Sequence, residues 1–424
     1  MSAQLDIIDA GHVHGAFQFG GFASLLAPLG KEGFMREYWE TTPCLIKRNC
    51  PGYFDALFTV SDVDALIGAS LLREGDLRIA KDGILKPFAA FVNNGAVDRR
   101  QVLAEYEGGA TIVFEHLNLH HDGLGQMLAE CESELKIPIR ANAYLTPARS
   151  KGFSRHYDTH DVLVMQVAGS KTWQIYSNPL PLPHEEQPFK AAWLDDAVKI
   201  ADVTLEPGDV LYLPRGFIHG ASSNHDTSLH ITVGIRAMAL REVAVALIKQ
   251  AAVADPVLRA SARFHGAQRH TSLAAARQHL HEMVDQLSLS ARFDDVLYSF
   301  LKKRNPPLKG QLMARHAAMR IGPATRLRVR PGMLLHPFLH AGVVSLMVNG
   351  SKLKFPAAAT ASLCQMRGQQ TFSALELPDP DLDASLSMLQ QLYDAGALLL
   401  EHDRCAADAN PHGQLPTTQE GVPA

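Results

Sequence analysis

The chain is poor in cysteine, in long apolar runs and in excess charge of either sign, and each shortage removes a class of protein. Five cysteines occur in 424 residues: Cys44, Cys50, Cys131, Cys364 and Cys405. None forms a Cys-x-x-Cys pair, so the set argues against a disulfide framework or a zinc finger and reads as buried thiols in a reducing compartment. No stretch is long and apolar enough to span a bilayer. The opening MSAQLDIIDAGHVHG lacks the basic start and apolar core of a signal peptide. A cytoplasmic protein without membrane association is the expectation. Forty basic residues against 44 acidic ones leave a net charge of −4, so nucleic-acid binding is not indicated. A 46% hydrophobic content supplies a sizeable core, and the length suggests about two to four domains.

The texture changes along the chain. Pro43 precedes a short strand, CLIKR, and Phe34, Tyr38 and Trp39 sit at helical spacing as core candidates. Two helical stretches, VDRRQVLAEYEGG and HHDGLGQMLAECESEL, flank the apolar strand ATIVFEHL. After Pro138 come β-rich runs: IRANAYLTP, HYDTHDVLVMQVAG, SKTWQIYS, VTLEPG, DVLYLPRG and SLHITVGIRAM. Short strands between turn residues point to an antiparallel barrel or a jelly roll of two sheets. From about Leu240 the period becomes helical, with breaks near Pro256 and Gly266. Further on, a strand (VVSLMVNGSKLKFP), a helix (ASLSMLQQLYDAG) and an ALLLE run suit a winged-helix-like module. The last residues are polar and Pro-rich, the composition of a disordered tail. The expected fold is mainly β with helical additions. Its domains are 1–240 (an N-terminal helical/β extension and a barrel core at about 138–238), 241–305 (helical), 306–405 (winged-helix-like) and 406–424 (tail).

His156-Tyr157-Asp158 opens one of the apolar runs. Alternate residues of an extended chain share a face, so His156 and Asp158 point one way and Tyr157 the other. An imidazole and a carboxylate presented together are two members of a 2-His-1-carboxylate triad, which leaves iron coordination positions open. Glu206-Pro207-Gly208-Asp209, the strand VLYLP and Arg215-Gly216-Phe217-Ile218-His219 form a cupin-like signature whose closing histidine is the third ligand candidate. His-x-Asp alone is a weak signal; the joint pattern is specific. His160 would share the face of His156 on a continuous strand and reads as a second-shell or substrate-facing group. His225 and His230 are further second-shell candidates. An open iron site can take a 2-oxo acid, whose distal carboxylate needs a cation in an apolar pocket. Lys171, after the Gly169-Ser170 turn, can start an adjacent strand and face inward; an exposed turn lysine is the plain alternative. Trp173 reads as barrel lining or as packing.

Asn142-Ala143-Tyr144-Leu145-Thr146-Pro147, His156-Tyr157-Asp158 and Gly169-Ser170-Lys171-Thr172-Trp173 together resemble the JmjC ribosomal oxygenases. The likeness runs on through Pro207-Gly208-Asp209, Tyr212-Leu213-Pro214-Arg215-Gly216, His219 and His230-Ile231-Thr232. Tyr38-Trp39-Glu40 and Pro43-Cys44-Leu45-Ile46 resemble the family's N-terminal entry. The resemblance implies a protein hydroxylase using Fe(II), 2-oxoglutarate and O2. It implies iron at His156, Asp158 and His219, the cosubstrate carboxylate at Lys171 with Thr232 and Tyr144, and Asn142 lining the same pocket. It also implies a ribosomal protein substrate and a homodimer formed through the helical region. Lysine at 171 resembles the animal members, whereas the bacterial arginine hydroxylase type carries arginine there, so histidine leads arginine as the target. Rival expectations are the same chemistry on a small molecule or peptide natural product, a catalytically silent binding module, and a DNA-binding regulator using Arg320, Arg326, Arg328 and Arg330.

Overall fold

Alternation along three central strands sorts their residues between a hydrophobic core and a cavity. The computed structural model describes residues 4–11, 15–18, 20–69, 72–261, 274–279, 281–282, 289–304, 308–316 and 319–401. The expected tail and the expected break near Gly266 lie outside them. The architecture is mixed β/α, with several sheets, and the described residues divide into two compact units, 4–236 with 308–316 and 237–304 with 319–401.

Strands of the first unit are β1 (Asp6–Asp9), β2 (Cys44–Lys47), β3 (Leu77–Lys81), β4 (Ile84–Leu85), β5 (Val92–Asn93), β6 (Ala96–Val97) and β7 (Thr111–Phe114). They continue with β8 (Ile139–Thr146), β9 (Asp161–Ala168), β10 (Lys171–Tyr176), β11 (Lys199–Leu205), β12 (Val210–Leu213), β13 (His219–Ser223) and β14 (Ser228–Ile235). The larger sheet runs β1-β2-β12-β9-β14-β8-β7-β3-β4; a second runs β11-β10-β13. Ala141, Ala143 and Leu145 of β8, Leu163 and Met165 of β9, and Ile231 and Val233 of β14 join one core with Phe22, Leu124 and Met127. That core covers the outer face with the helices Gly21–Leu25 and Asp122–Leu135. The opposite residues, Asn142, Tyr144 and Thr146 against Thr232, His230 and Ser228, pair across β8 and β14 on the other face. Val162, Val164 and Leu211 of the large sheet meet Trp173, Ile175 and Leu205 of the small one, so the sheets pack on each other.

Two local expectations change. The strand begins at Asp161, and His156 makes only an isolated antiparallel bridge to His219. The chain between Asp158 and Asp161 lies outside the ladder, so strand periodicity cannot be carried from His156 to His160. Lys171 does start a strand, but β10 pairs with β11 and β13 and not with β9. Gly169, at φ +58°, passes the chain from one sheet to the other; a Cβ there would stand 2.0 Å from the Thr227 carbonyl oxygen.

In the second unit the helices Leu240–Ala254 and Leu289–Lys303 pack together. The stretch read as one strand is a hairpin, β17 (Val343–Val348) and β18 (Ser351–Pro356), turning at Asn349-Gly350 with β16 (Phe338–His340) alongside. The other sheet pairs β15 (Leu327–Val329) with β19 (Leu398–Leu400), next to the helix Leu382–Asp394.

Candidate active site

Three donors converge where the two sheets meet. Ligand atoms of His156, Asp158 and His219 lie within 4.8 Å of one another, the group of this kind among the described residues. His156 Nε2 is 3.8 Å from one carboxylate oxygen of Asp158, and His219 Nε2 is 3.6 Å from the other. Each imidazole is held from behind: His156 Nδ1 lies 2.8 Å from the Ser154 carbonyl oxygen, and His219 Nδ1 lies 3.0 Å from that of Phe217. A carbonyl can only accept, so each Nδ1 carries its proton and donates, which leaves both Nε2 lone pairs facing Asp158. Reciprocal backbone bonds between His156 and His219, 3.0 and 2.8 Å, fix the two ligands' spacing. Burial works to raise the Asp158 pKa, but His219, His156, His160 and Arg78 outweigh it and hold the carboxyl below its usual range. Burial, with the neighbouring His156, pushes His219 down to about 4, so it stands neutral at pH 7. Neutral imidazoles and an ionised carboxylate are the donor state a divalent transition metal requires.

The triad opens on a cavity of about 300 Å³ that also receives Lys171, Trp173, Tyr144, His230 and Thr232. Lys171 is 4% exposed, donates to Thr146 Oγ1 at 2.9 Å, and has no carboxylate within ion-pair distance among the described residues. Burial alone pushes its pKa down to about 7. Trp173 Nε1 and His230 Nδ1 are buried without a hydrogen-bond partner among the described residues. An unpaired ammonium and two unmet polar atoms lining one cavity suit an anionic, oxygen-rich ligand. Tyr144 stacks on His230, with centroids 4.7 Å apart and planes 5° apart. Asn142 Oδ1 accepts from the His116 backbone N–H at 3.0 Å, so Asn142 anchors the wall beside Tyr144. His160 is not one of the three donors; its ring lies against Gly234, whose lack of a side chain makes room for it.

Sequence reasoning missed Thr146 and Thr111, whose hydroxyls lie 3.1 Å apart behind Lys171. Thr146 stood within a quoted motif and shares the face of Tyr144, a signal alternation could have used. It also missed Arg78 and Phe153. Arg78 pairs with Glu115 and lies over the Phe153 ring, and both residues line the cavity. Nothing local in the sequence marks them. A larger depression of about 500 Å³, beside Asn93, Asn94, Arg99 and Arg100, brings no metal donors together.

Residues 116–243 match the family model of the JmjC domain, a span that holds all three donors and Lys171. This part of the chain matches the JmjC domain, and the proteins it is similar to include ribosomal oxygenases. It is 34% identical over 221 residues to ribosomal oxygenase 1 of Gallus gallus, covering 50% of this chain and 36% of that protein. Ribosomal oxygenase 2 of Mus musculus is 32% identical over 218 residues, covering 50% of this chain and 46% of that one. A protein of Drosophila persimilis named bifunctional lysine-specific demethylase and histidyl-hydroxylase NO66 is 33% identical over 216 residues, covering 50% and 31%. The chain thus spans less than half the length of these curated relatives. The fold of the Escherichia coli ribosomal oxygenase YcfD is also similar, with a TM-score of 0.54 at 20% identity, covering 91% of this chain and 100% of that one. Another YcfD structure, in complex with cobalt and 2-oxoglutarate, has a TM-score of 0.52 and covers 87% of this chain and 98% of YcfD. The JmjC match ends at residue 243, close to the boundary of the first compact unit at 236.

Proposed function

We propose that this chain is an Fe(II)- and 2-oxoglutarate-dependent oxygenase that hydroxylates a protein side chain, a histidine or arginine of a ribosomal protein. The observation that carries the reading is one cavity in which a three-donor set and a buried, uncompensated lysine lie together. His156, Asp158 and His219 would hold iron(II) through two Nε2 atoms and a carboxylate oxygen. Lys171 would take the distal carboxylate of 2-oxoglutarate, with Thr232, Tyr144 and Asn142 on the adjoining wall and His230, Trp173 and His160 as supporting groups. Bound iron, with 2-oxoglutarate and O2, supplies the oxidising power to hydroxylate an unactivated C–H bond, releasing succinate and CO2. The protein's own part is positional. Backbone carbonyls behind both imidazoles aim their free nitrogens, Lys171 compensates the incoming carboxylate, and Val162, Val164 and Trp173 keep water from the interior.

The same reading extends to the whole chain. The two packed sheets would be a double-stranded β-helix of cupin type, with domains at 1–240, 241–305 and 306–405. Leu240, Ile248 and Val253 are exposed on one helix, which supports a homodimer through the helical region. The C-terminal module would be winged-helix-like. In it Arg326 is committed to Glu376, and Arg330 is buried against the Gly396 carbonyl, which leaves a weaker basic patch than the sequence suggests. No described helix is long and apolar enough to cross a membrane, and a cytoplasmic location is part of this proposal.

The test is conversion of 2-oxoglutarate to succinate with added iron(II), comparing the natural chain with His156→Ala and Lys171→Ala. Turnover lost in both variants supports the oxygenase. Absence of turnover together with absence of iron-dependent 2-oxoglutarate binding would move a silent binding module into first place.

A further inference from the structure

The residue between the first two donors faces away from the cavity and is gripped by a separate piece of chain. Tyr157 is 3% exposed. Its ring stacks on Trp193 at 5.4 Å with 23° between planes, and Phe189 meets it edge-on at 5.5 Å. Its hydroxyl donates to the Gln187 carbonyl oxygen at 2.9 Å. Phe189 and Trp193 touch each other at 6.2 Å, and the Lys190 ammonium lies 5.5 Å from the Trp193 ring centre. All four belong to residues 177–198, the excursion between β10 and β11, whose ends are tied by Ser177 N–H to the Val198 carbonyl at 2.7 Å.

The segment that carries the donors has few ladder bonds of its own. His156 exchanges two backbone bonds with His219, and Gly216 N–H donates to the Asp158 carbonyl at 3.1 Å. Regular strand pairing resumes only at Asp161. On a backbone so lightly held, a side chain pointing one way fixes where its neighbours point the other way. A rotation of Tyr157 moves the His156 and Asp158 side chains together. Donor placement within about 0.5 Å is what a metal site demands of its supporting residues.

We propose that the 177–198 excursion is a positioning element for the metal donors, acting through the Trp193–Tyr157 stack. The inference rests on the reading of His156, Asp158 and His219 as metal ligands. Neither Trp193 nor Tyr157 lines the cavity, so both act through the donors they hold in place.

The experiment is titration of the purified full-length chain with cobalt(II), following the d–d absorption and measuring affinity by competition with a chelating dye. Trp193→Ala should weaken cobalt(II) binding about tenfold, the lower end of what outer-shell changes cost, and alter the d–d band, with thermal unfolding of the metal-free protein little moved. Trp193→Phe should recover affinity to within about threefold, and Tyr157→Phe, which removes only the hydroxyl bond to Gln187, should fall between. Trp193→Ala binding cobalt(II) within about twofold of the natural chain would overturn the proposal. So would equal losses in Trp193→Ala and Trp193→Phe accompanied by a common fall in unfolding temperature. If Trp193→Ala does not fold, Trp193→Leu, which removes the stacked ring and keeps apolar bulk, decides, and an unchanged affinity and d–d band there overturns the proposal. Failure of the natural chain itself to bind cobalt(II) would instead sink the metal-site reading.

Discussion

The Lys171 ammonium donates to the Thr146 hydroxyl across 2.9 Å and meets no carboxylate among the described residues, although both residues are buried. Behind that pair the Thr111 hydroxyl lies 3.1 Å from Thr146 Oγ1, so the threonine keeps a partner whether or not the lysine is present. In the metal-free fold the protonated lysine is therefore costly, and an anionic ligand in the cavity would compensate it.

Replacing that lysine should separate stability from binding. Burial lowers its pKa from 10.5 to about 7, a cost to the metal-free fold on the order of a few kcal/mol. Lys171→Met is expected to raise the unfolding temperature of the metal-free protein while abolishing iron-dependent 2-oxoglutarate binding. Calorimetry of both forms checks the pair of effects; a destabilised Lys171→Met would contradict the account.

The same shift has a pH signature. Below about pH 7 the lysine is protonated in both folded and unfolded chains, and the full cost is present. Between about 7 and 10.5 the unfolded chain binds the extra proton, so this group makes stability rise with pH. Denaturant titrations of the natural chain and Lys171→Met across that window should differ in slope by this term. In the same window the affinity for 2-oxoglutarate should fall, because the apo lysine is losing the charge that attracts it.

Arg215 closes a buried network at the mouth of β9. Its guanidinium lies 2.6 Å from Asp161 and 2.7 Å from Glu40, and the Tyr212 hydroxyl donates to Asp161 at 3.2 Å. Arg215→Leu leaves Asp161 buried and uncompensated, and should cost about 3–5 kcal/mol in a urea melt. Adding Asp161→Asn should recover part of that loss, since the cost comes from the stranded charge.

Gly169→Ala is expected to be worse than an ordinary positive-φ substitution. The added Cβ would stand 2.0 Å from the Thr227 carbonyl oxygen, and the turn that sets the start of β10 would have to move. Gly75→Ala, at φ +92° with nothing within 4 Å, serves as the control and should cost about 1 kcal/mol. A larger loss of stability at Gly169, with weaker 2-oxoglutarate binding, is the predicted result.

Much of the site could be read without coordinates because its chemistry is carried by short motifs. His156 with Asp158, and His219 after the Pro-Gly-Asp strand, need only alternation and a turn to be legible. The inward face of Tyr144 and Thr232 follows from the same two-residue period once β8 and β14 are known to pair. The strand start at Asp161 was not legible. There the start is set by pairing with β14 and β12, strands far along the chain, which no local pattern marks.

By itself, then, the sequence determined which residues could serve as metal donors, which apolar faces must be buried, and where glycine and proline would turn the chain. Those choices follow from side-chain chemistry and local backbone preference. Only the tertiary structure decided that Lys171 would face the cavity without a counter-charge, that Thr146 and Thr111 would stand behind it, and that Trp193 would hold the far side of Tyr157. Each of these depends on strands or loops distant in the chain being brought within contact range, and pairing across such separations leaves no mark in a local pattern.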